Sequence, residues 1–70
     1  MNIEAIKAAV DAGQTVHWAN TGYIVHKDAL GQYLITYRHG GGTIGLTDQS
    51  GTRLNGDEAE FYVAGANNNQ

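Results

Sequence analysis

The stretch Arg38-His39-Gly40-Gly41-Gly42-Thr43 puts a guanidinium and an imidazole directly before three successive glycines. Glycines let consecutive backbone N–H groups turn inward around an anion, and an arginine fork matches two phosphate oxygens. The chemistry expected is phosphate contact in a loop, with Arg38 as the fork, the glycine backbone as donor, and His39, Gly41 and Thr43 as further ligand-binding candidates. This is neither a Walker loop nor a dinucleotide fingerprint, and no helical pattern follows it, so a plain flexible hairpin loop is the competing reading. The aromatic residues are Trp18, Tyr23, Tyr33, Tyr37, Phe61 and Tyr62. A tyrosine ring can stack on a base while its hydroxyl donates a hydrogen bond. A domain of this size needs most of them for its core, which leaves Tyr23 and Tyr37 as the binding candidates. Lys27 and Arg38 are the bases expected beside them, although strand-end bases also serve simply to keep a sheet edge soluble.

Three histidines, His17, His26 and His39, raise the possibility of a metal site. A three-residue hairpin loop at Asn20-Thr21-Gly22 puts His17 and His26 on opposite sheet faces, and only a tighter turn at Thr21-Gly22 brings them side by side. No metal and no cofactor are therefore expected. The catalytic inventory is poor: Asp48, Asp57, Glu58 and Glu60 show no acid–base pairing, and Ser50, the only serine, lies within a turn. Cysteine is absent, which excludes thiol nucleophiles, thiolate zinc sites and disulfide staples. The expectation is a binding protein rather than an enzyme.

These residues must be positioned by a chain of 70 residues, 41% hydrophobic and 16% charged, which is one small domain. A core of this size supplies no more than about 3–5 kcal/mol of net stability, so homo-oligomerisation is expected to help. Seven acids against four bases give a net charge of −3, the wrong sign for nonspecific nucleic-acid binding. Seven acids are also too few for a nucleic-acid mimic. No apolar run approaches a membrane span and no basic-then-apolar leader opens the sequence, so a soluble, cytoplasmic protein is expected.

Ile3, Ile6 and Val10 form one apolar stripe of a short helix among Ala5, Ala8, Ala9 and Ala12, with Asn2 as N-cap, Glu4 at the positive end and Gly13 as terminator. Beyond Gly13 the sequence turns to β-branched and aromatic residues punctuated by glycine, with strands expected over 15–19, 23–27, 32–38, 43–47, 52–54 and 60–64. Connections this short require antiparallel neighbours. The predicted fold class is α+β: a short N-terminal helix followed by a small twisted antiparallel sheet of four to six strands, a meander that can curl toward a barrel. The acidic run Asp57-Glu58-Ala59-Glu60 is expected to open a short helical turn or to form a solvated face.

Asp28-Ala29-Leu30-Gly31 and Asp48-Gln49-Ser50-Gly51 share one turn chemistry, a type I turn closed by a glycine at positive φ. Such turns set register. Pairing Asp28 with Gln32 places Tyr23 opposite Tyr37, Ile24 opposite Thr36 and Val25 opposite Ile35. Pairing Ala19 with Tyr23 places Trp18 opposite Ile24, and pairing Asp48 with Thr52 places Leu46 opposite Leu54. One face then carries Tyr23, Val25, Ile35 and Tyr37, joined by Ile44, Leu46 and Leu54, and the other carries Val16, Trp18, Ile24 and Leu34. With both faces partly apolar and one short helix, the second face must curl, meet another subunit or hold a ligand. The domain is expected over 1–64, with an Asn-rich disordered tail over 65–70.

The spacing of Gly22-Tyr23, Val25, Asp28, Gly31-Gln32-Tyr33-Leu34-Ile35, Ile44-Gly45-Leu46-Thr47, Leu54-Asn55-Gly56 and Phe61-Tyr62-Val63 resembles that of short hypothetical proteins carried by phages and prophages. The resemblance spans roughly residues 9–64 and rests mainly on strand and turn residues. It implies a shared fold and a phage origin, and it transfers no functional residue. Small nonenzymatic phage proteins of this kind often neutralise host defences, either by sequestering a cyclic nucleotide signal or by docking on a defence protein as anti-CRISPR proteins do. A small structural assembly subunit is the third class. The site expected for the first is Arg38, His39, Gly41, Thr43, Tyr23, Tyr37 and Lys27.

Overall fold

Helix α1 (Ile3–Asp11) begins where Asn2 Oδ1 accepts from the Ala5 N–H at 2.8 Å, satisfying one of the first-turn donors. It ends in a Schellman motif: Gly13, at φ +85°, donates to Val10 O and Gln14 donates to Ala9 O. Of the stripe read from the sequence, Ile6 is buried and Ile3 and Val10 are half-buried, and Ala9 beside them is buried too. A helix this short is marginal alone, so its packing on the strands is what holds it.

The computed structural model describes residues 1–65, so the Asn-rich segment beyond Gly65 lies outside the described residues. Five strands follow the helix: β1 (Val16–Trp18), β2 (Asn20–Lys27), β3 (Tyr33–Tyr37), β4 (Thr43–Gly45) and, after a 3-10 turn at Glu58–Glu60, β5 (Phe61–Val63). They form one antiparallel sheet in the order β4-β3-β2-β1-β5. The architecture is the expected α+β with a small antiparallel sheet. It is not a complete meander, because β5 returns across the molecule to pair with β1, and the sheet does not close into a barrel.

The β2–β3 hairpin has the register set by its turn, with Tyr23 opposite Tyr37, Ile24 opposite Thr36 and Val25 opposite Ile35. Asp28 Oδ1 accepts from the N–H groups of Leu30 and Gln32, and Gly31 adopts φ +85°. At the second Asp turn, Gly51 also has positive φ, at +78°, but Asp48 pairs with Arg53 rather than Thr52. The Asp48 carboxylate takes hydrogen bonds from Ser50, Thr52 and Arg53, which lengthens the loop by one residue. Thr47 therefore bridges Leu54, and the strand expected over 52–54 is reduced to that single bridge.

The β1–β2 connection departs further. Instead of a loop at Asn20-Thr21-Gly22, the chain reverses at Ala19, the one non-glycine residue with positive φ (68°) among the described residues. Val16 pairs with Val25, His17 with Ile24 and Trp18 with Asn20, with a bulge after His17. A one-residue shift exchanges the faces of a strand. Val16 and Trp18 thus join the Val25 face, correcting their expected place on the other.

The resulting core is one row across the sheet, Val63-Val16-Val25-Ile35, continued by Phe61 and covered by Ile6 and Ala9 of the helix, while Ile44, in register with Ile35 on the edge strand, stays exposed. Leu46 and Leu54, from the long connection to β5, pack into the same layer. The opposite face carries Tyr62, His17, Ile24 and Thr36 in register, with His26 and Leu34 beside them. Having lost Val16 and Trp18, it is more polar than expected. Among the described residues no helix is long and apolar enough to cross a membrane.

Candidate functional site

Beyond the helix, the core-side layer continues as a run of rings. Phe61 stacks on Trp18 with centroids 6.2 Å apart, Trp18 meets Tyr23 edge-on at 4.9 Å, Tyr23 meets Tyr37 at 4.7 Å, and Tyr37 meets His39 edge-on at 5.4 Å. These separations are those of favourable aromatic pairs. Phe61 is buried, Trp18, Tyr23 and Tyr37 are half-buried, and His39 is exposed. Trp18, Tyr23 and Tyr37 line a groove of about 320 Å³ with Ile35, Ile44, Gly41, Gly42 and Thr43.

Glycines seat these rings. A Cβ at Gly41 would lie 2.7 Å from Tyr37 Cβ, one at Gly22 would lie 2.7 Å from Tyr37 Cε1, and one at Gly56 would lie within van der Waals radii of the Trp18 indole. The indole Nε1 donates to Glu60 Oε1 at 3.2 Å, tying Trp18 to the 3-10 turn. The hydroxyls of Tyr23 and Tyr37 make no hydrogen bond within the described residues and remain available to a ligand.

Of the residues expected at the site, Tyr23, Tyr37, Gly41 and Thr43 meet at the groove. His39 flanks it through Tyr37. Arg38 is at the same end of the sheet, but its Nε and Nη2 both donate to Thr21 O, at 3.0 and 2.7 Å, while its backbone N–H donates to Gly22 O. The fork clasps the β1–β2 bulge, and three of its five N–H donors have no partner among the described residues. Lys27 pairs with Tyr33 at the far end of the hairpin from Tyr23 and Tyr37 and does not belong to the groove.

Lys27 instead helps fasten the helix. Its Nζ lies 3.4 Å from Asp11 Oδ1, while the Tyr33 hydroxyl donates to the same carboxylate at 2.7 and 2.9 Å. Lys7 and Lys27 both lie over the Tyr33 ring, at 5.1 and 5.3 Å from its centroid. The Tyr33 hydrogen bond holds the Asp11 carboxyl below its usual pKa, and Asp11 in turn raises Lys27 and Tyr33.

The bulge also revises the histidines. His17 pairs with Ile24, so His17 and His26 share the open face rather than lying on opposite ones. His17 is buried and its Nδ1–H donates to Tyr23 O at 2.9 Å, while His26 Nε2 shares a hydrogen bond with Thr36 Oγ1 at 2.7 Å. Among the described residues no three His, Asp or Glu side chains gather at metal-binding distance.

The groove members missing from the expected site are Trp18, Ile35, Ile44 and Gly42, the last lying within the glycine stretch already singled out. Ile35 and Ile44 were legible as face partners of Tyr23 and Tyr37. Trp18 was hidden by the β1–β2 register, and its packing against Gly56 leaves no local signal. No protein-family model matches the chain, and neither a curated protein nor a solved structure matches it. The class defined by fold and site is thus a small α+β domain with an open antiparallel sheet and a half-exposed aromatic groove beside a glycine loop.

Proposed function

We propose that this chain is a nonenzymatic, stoichiometric binding protein that sequesters a cyclic nucleotide signal by stacking its base in the Trp18–Tyr23–Tyr37 groove. The observation carrying this reading is the unbroken series of half-exposed rings beside backbone-only glycine walls. A flat ligand gains about 1–3 kcal/mol per stacked base from such rings. No charged residue lines the groove, and Arg38, next in sequence to Tyr37 but outside the lining, has three donors that Thr21 O does not use among the described residues. The resemblance to phage proteins supplies the setting, a phage-encoded accessory protein acting in the host cytoplasm against a bacterial defence system.

Thermal melting with a panel of cyclic dinucleotides and cyclic ADP-ribose tests this. A ligand at about a hundredfold excess over its Kd stabilises the native state by about 2.7 kcal/mol, a shift of about 10 °C or more in a domain of this size. Tyr23→Ala should weaken that ligand about tenfold and Arg38→Ala by a similar factor, with the ligand recovered chemically unchanged. A panel in which no member raises Tm overturns the reading.

Docking on a host defence protein is a second reading, favoured by Ile44, which is 48% exposed at the groove's margin on edge strand β4. It expects no heat with any nucleotide and loss of partner binding in Ile44→Asp. If neither nucleotide nor defence protein binds, a structural assembly subunit is the remaining class.

A further inference from the structure

We infer that Thr43 is an acyl-acceptor site, its hydroxyl activated through Thr36 by the His26 imidazole so that it takes an acyl group from an activated ester. The inference is independent of the nucleotide reading above and uses the opposite face of the sheet.

Three side chains carry the argument. His26 Nε2 lies 2.7 Å from Thr36 Oγ1, and Thr36 Oγ1 lies 2.8 Å from Thr43 Oγ1. The chain of contacts crosses β2, β3 and β4 on the face away from the helix. Thr36 and Thr43 are directly opposed, one step from the pair in which the Tyr37 N–H donates to Gly42 O. Theirs is therefore a non-hydrogen-bonded position, where opposed side chains come closest. His26 reaches Thr36 along the diagonal, since Ile24 is the residue directly opposite Thr36.

The two ends of this chain suit different tasks. His26 and Thr36 are half-buried, whereas Thr43 is exposed on the edge strand. At its position the backbone N–H points away from β3, so it stands in solvent beside the residue's own hydroxyl. With the imidazole proton on Nδ1, Nε2 accepts from the Thr36 hydroxyl and Thr36 Oγ1 accepts from the Thr43 hydroxyl. As Thr43 Oγ1 bonds to the acyl carbon, its proton passes to Thr36 Oγ1 and the Thr36 proton passes to His26 Nε2. The bond from the acyl carbon to the leaving oxygen then breaks, and the electron pair departs with that oxygen. A neutral chain and an aryl ester thus give Thr43 ester, imidazolium and phenolate. The Thr43 N–H is the donor nearest the developing oxyanion.

Incubation of the full chain with p-nitrophenyl acetate, read by peptide mass spectrometry, tests the inference. An acetyl ester should form at Thr43. Thr36→Val and His26→Gln should each slow its formation about a hundredfold, the low end for a positioned base. Thr36→Ser, which keeps the relaying hydroxyl, should stay within about threefold of wild type. Circular dichroism confirms that each variant keeps the sheet, and His26→Gln decides alone if Thr36→Val unfolds. Equal rates in wild type and His26→Gln overturn the inference, as does an ester on Thr36 or acetylation confined to the amines of Met1, Lys7 and Lys27.

Discussion

Gly41 and Gly42 are adjacent, neither has positive φ, and replacing each by alanine should give opposite results. A Cβ on Gly41 would lie 2.7 Å from Tyr37 Cβ and 2.8 Å from Tyr37 Cδ2, whereas a Cβ on Gly42 meets nothing within 4 Å. Carbon atoms prefer about 3.5–4.0 Å, so Gly41→Ala forces about an ångström of retreat. The ring is hemmed on two sides, by the Gly22 backbone at its other edge and by the Tyr23 ring 4.7 Å away, so it can yield only toward the groove. The root of the clash is Tyr37 Cβ, which moves only with the β3 backbone. Overpacking of this kind costs about 1–3 kcal/mol, a large part of the roughly 3–5 kcal/mol such a core supplies. At about 4–8 °C per kcal/mol, Gly41→Ala should lower Tm by at least about 4 °C. Gly42→Ala should stay within about 0.5 kcal/mol of wild type, or gain slightly by restricting the unfolded chain. Thermal melting followed by circular dichroism, with urea titration for the free energies, separates the two. In a Tyr37→Ala background the Gly41→Ala penalty should shrink only in part, since the Cδ2 and Cγ contacts are gone but the Cβ contact at 2.7 Å remains, whereas a Tyr37→Gly background should abolish it. Equal stability of the two alanine variants would refute the ring-seat argument for the glycine loop.

Ala19 occupies the left-handed region at φ 68°, which costs an L-residue about 1 kcal/mol or more, so Ala19→Gly should raise stability by up to about 1 kcal/mol in urea titration. A loss instead would mean that the Ala19 methyl contributes packing exceeding its strain. Stability should also fall in acid. Asp11, through Tyr33, and Asp48, through Ser50, have pKa values held below the usual 3.8, so they favour the folded chain above pH 3.8, and that contribution disappears as pH falls below it. Tyr33 and Lys27 are raised above 10.0 and 10.5, so their contribution is present below those values and is lost above them. Tyr33→Phe should flatten both limbs of Tm against pH, and unchanged limbs would show that the Asp11–Tyr33 pair carries no linkage.

Where chemistry is local, the sequence was readable. Asn2 caps α1 and Gly13 ends it through contacts within five residues, and Asp28 with Gly31 sets the β2–β3 register through its own turn. That register alone brings Tyr23 to Tyr37, and Gly41 and Thr43 follow from the next connection. The β1–β2 turn failed because distant groups overrule it. The Ala19 N–H donates to Glu60 O, and the Arg38 fork holds Thr21 O, from 41 and 17 residues away respectively. Neither partner is visible from the turn's own composition, and the one-residue shift they stabilise decides which face Trp18 and Val16 occupy.

That shift also changes what the glycines mean. As sequence, Gly22, Gly41 and Gly56 read as turn residues, and the triplet after His39 reads as an anion loop. In the fold, Gly22 and Gly41 bracket Tyr37 and Gly56 receives Trp18, so all three remove a side chain where a ring must lie flat. The groove is built for ring faces, with polar recognition left to the Tyr23 and Tyr37 hydroxyls and the uncommitted Arg38 donors at its margin. A ligand recognised mainly by phosphate would need more positive charge than one shared guanidinium supplies in a chain of net charge −3. Stacking must therefore contribute the larger part of any nucleotide affinity, which means that loss of an aromatic side chain should be felt more than a rise in salt concentration.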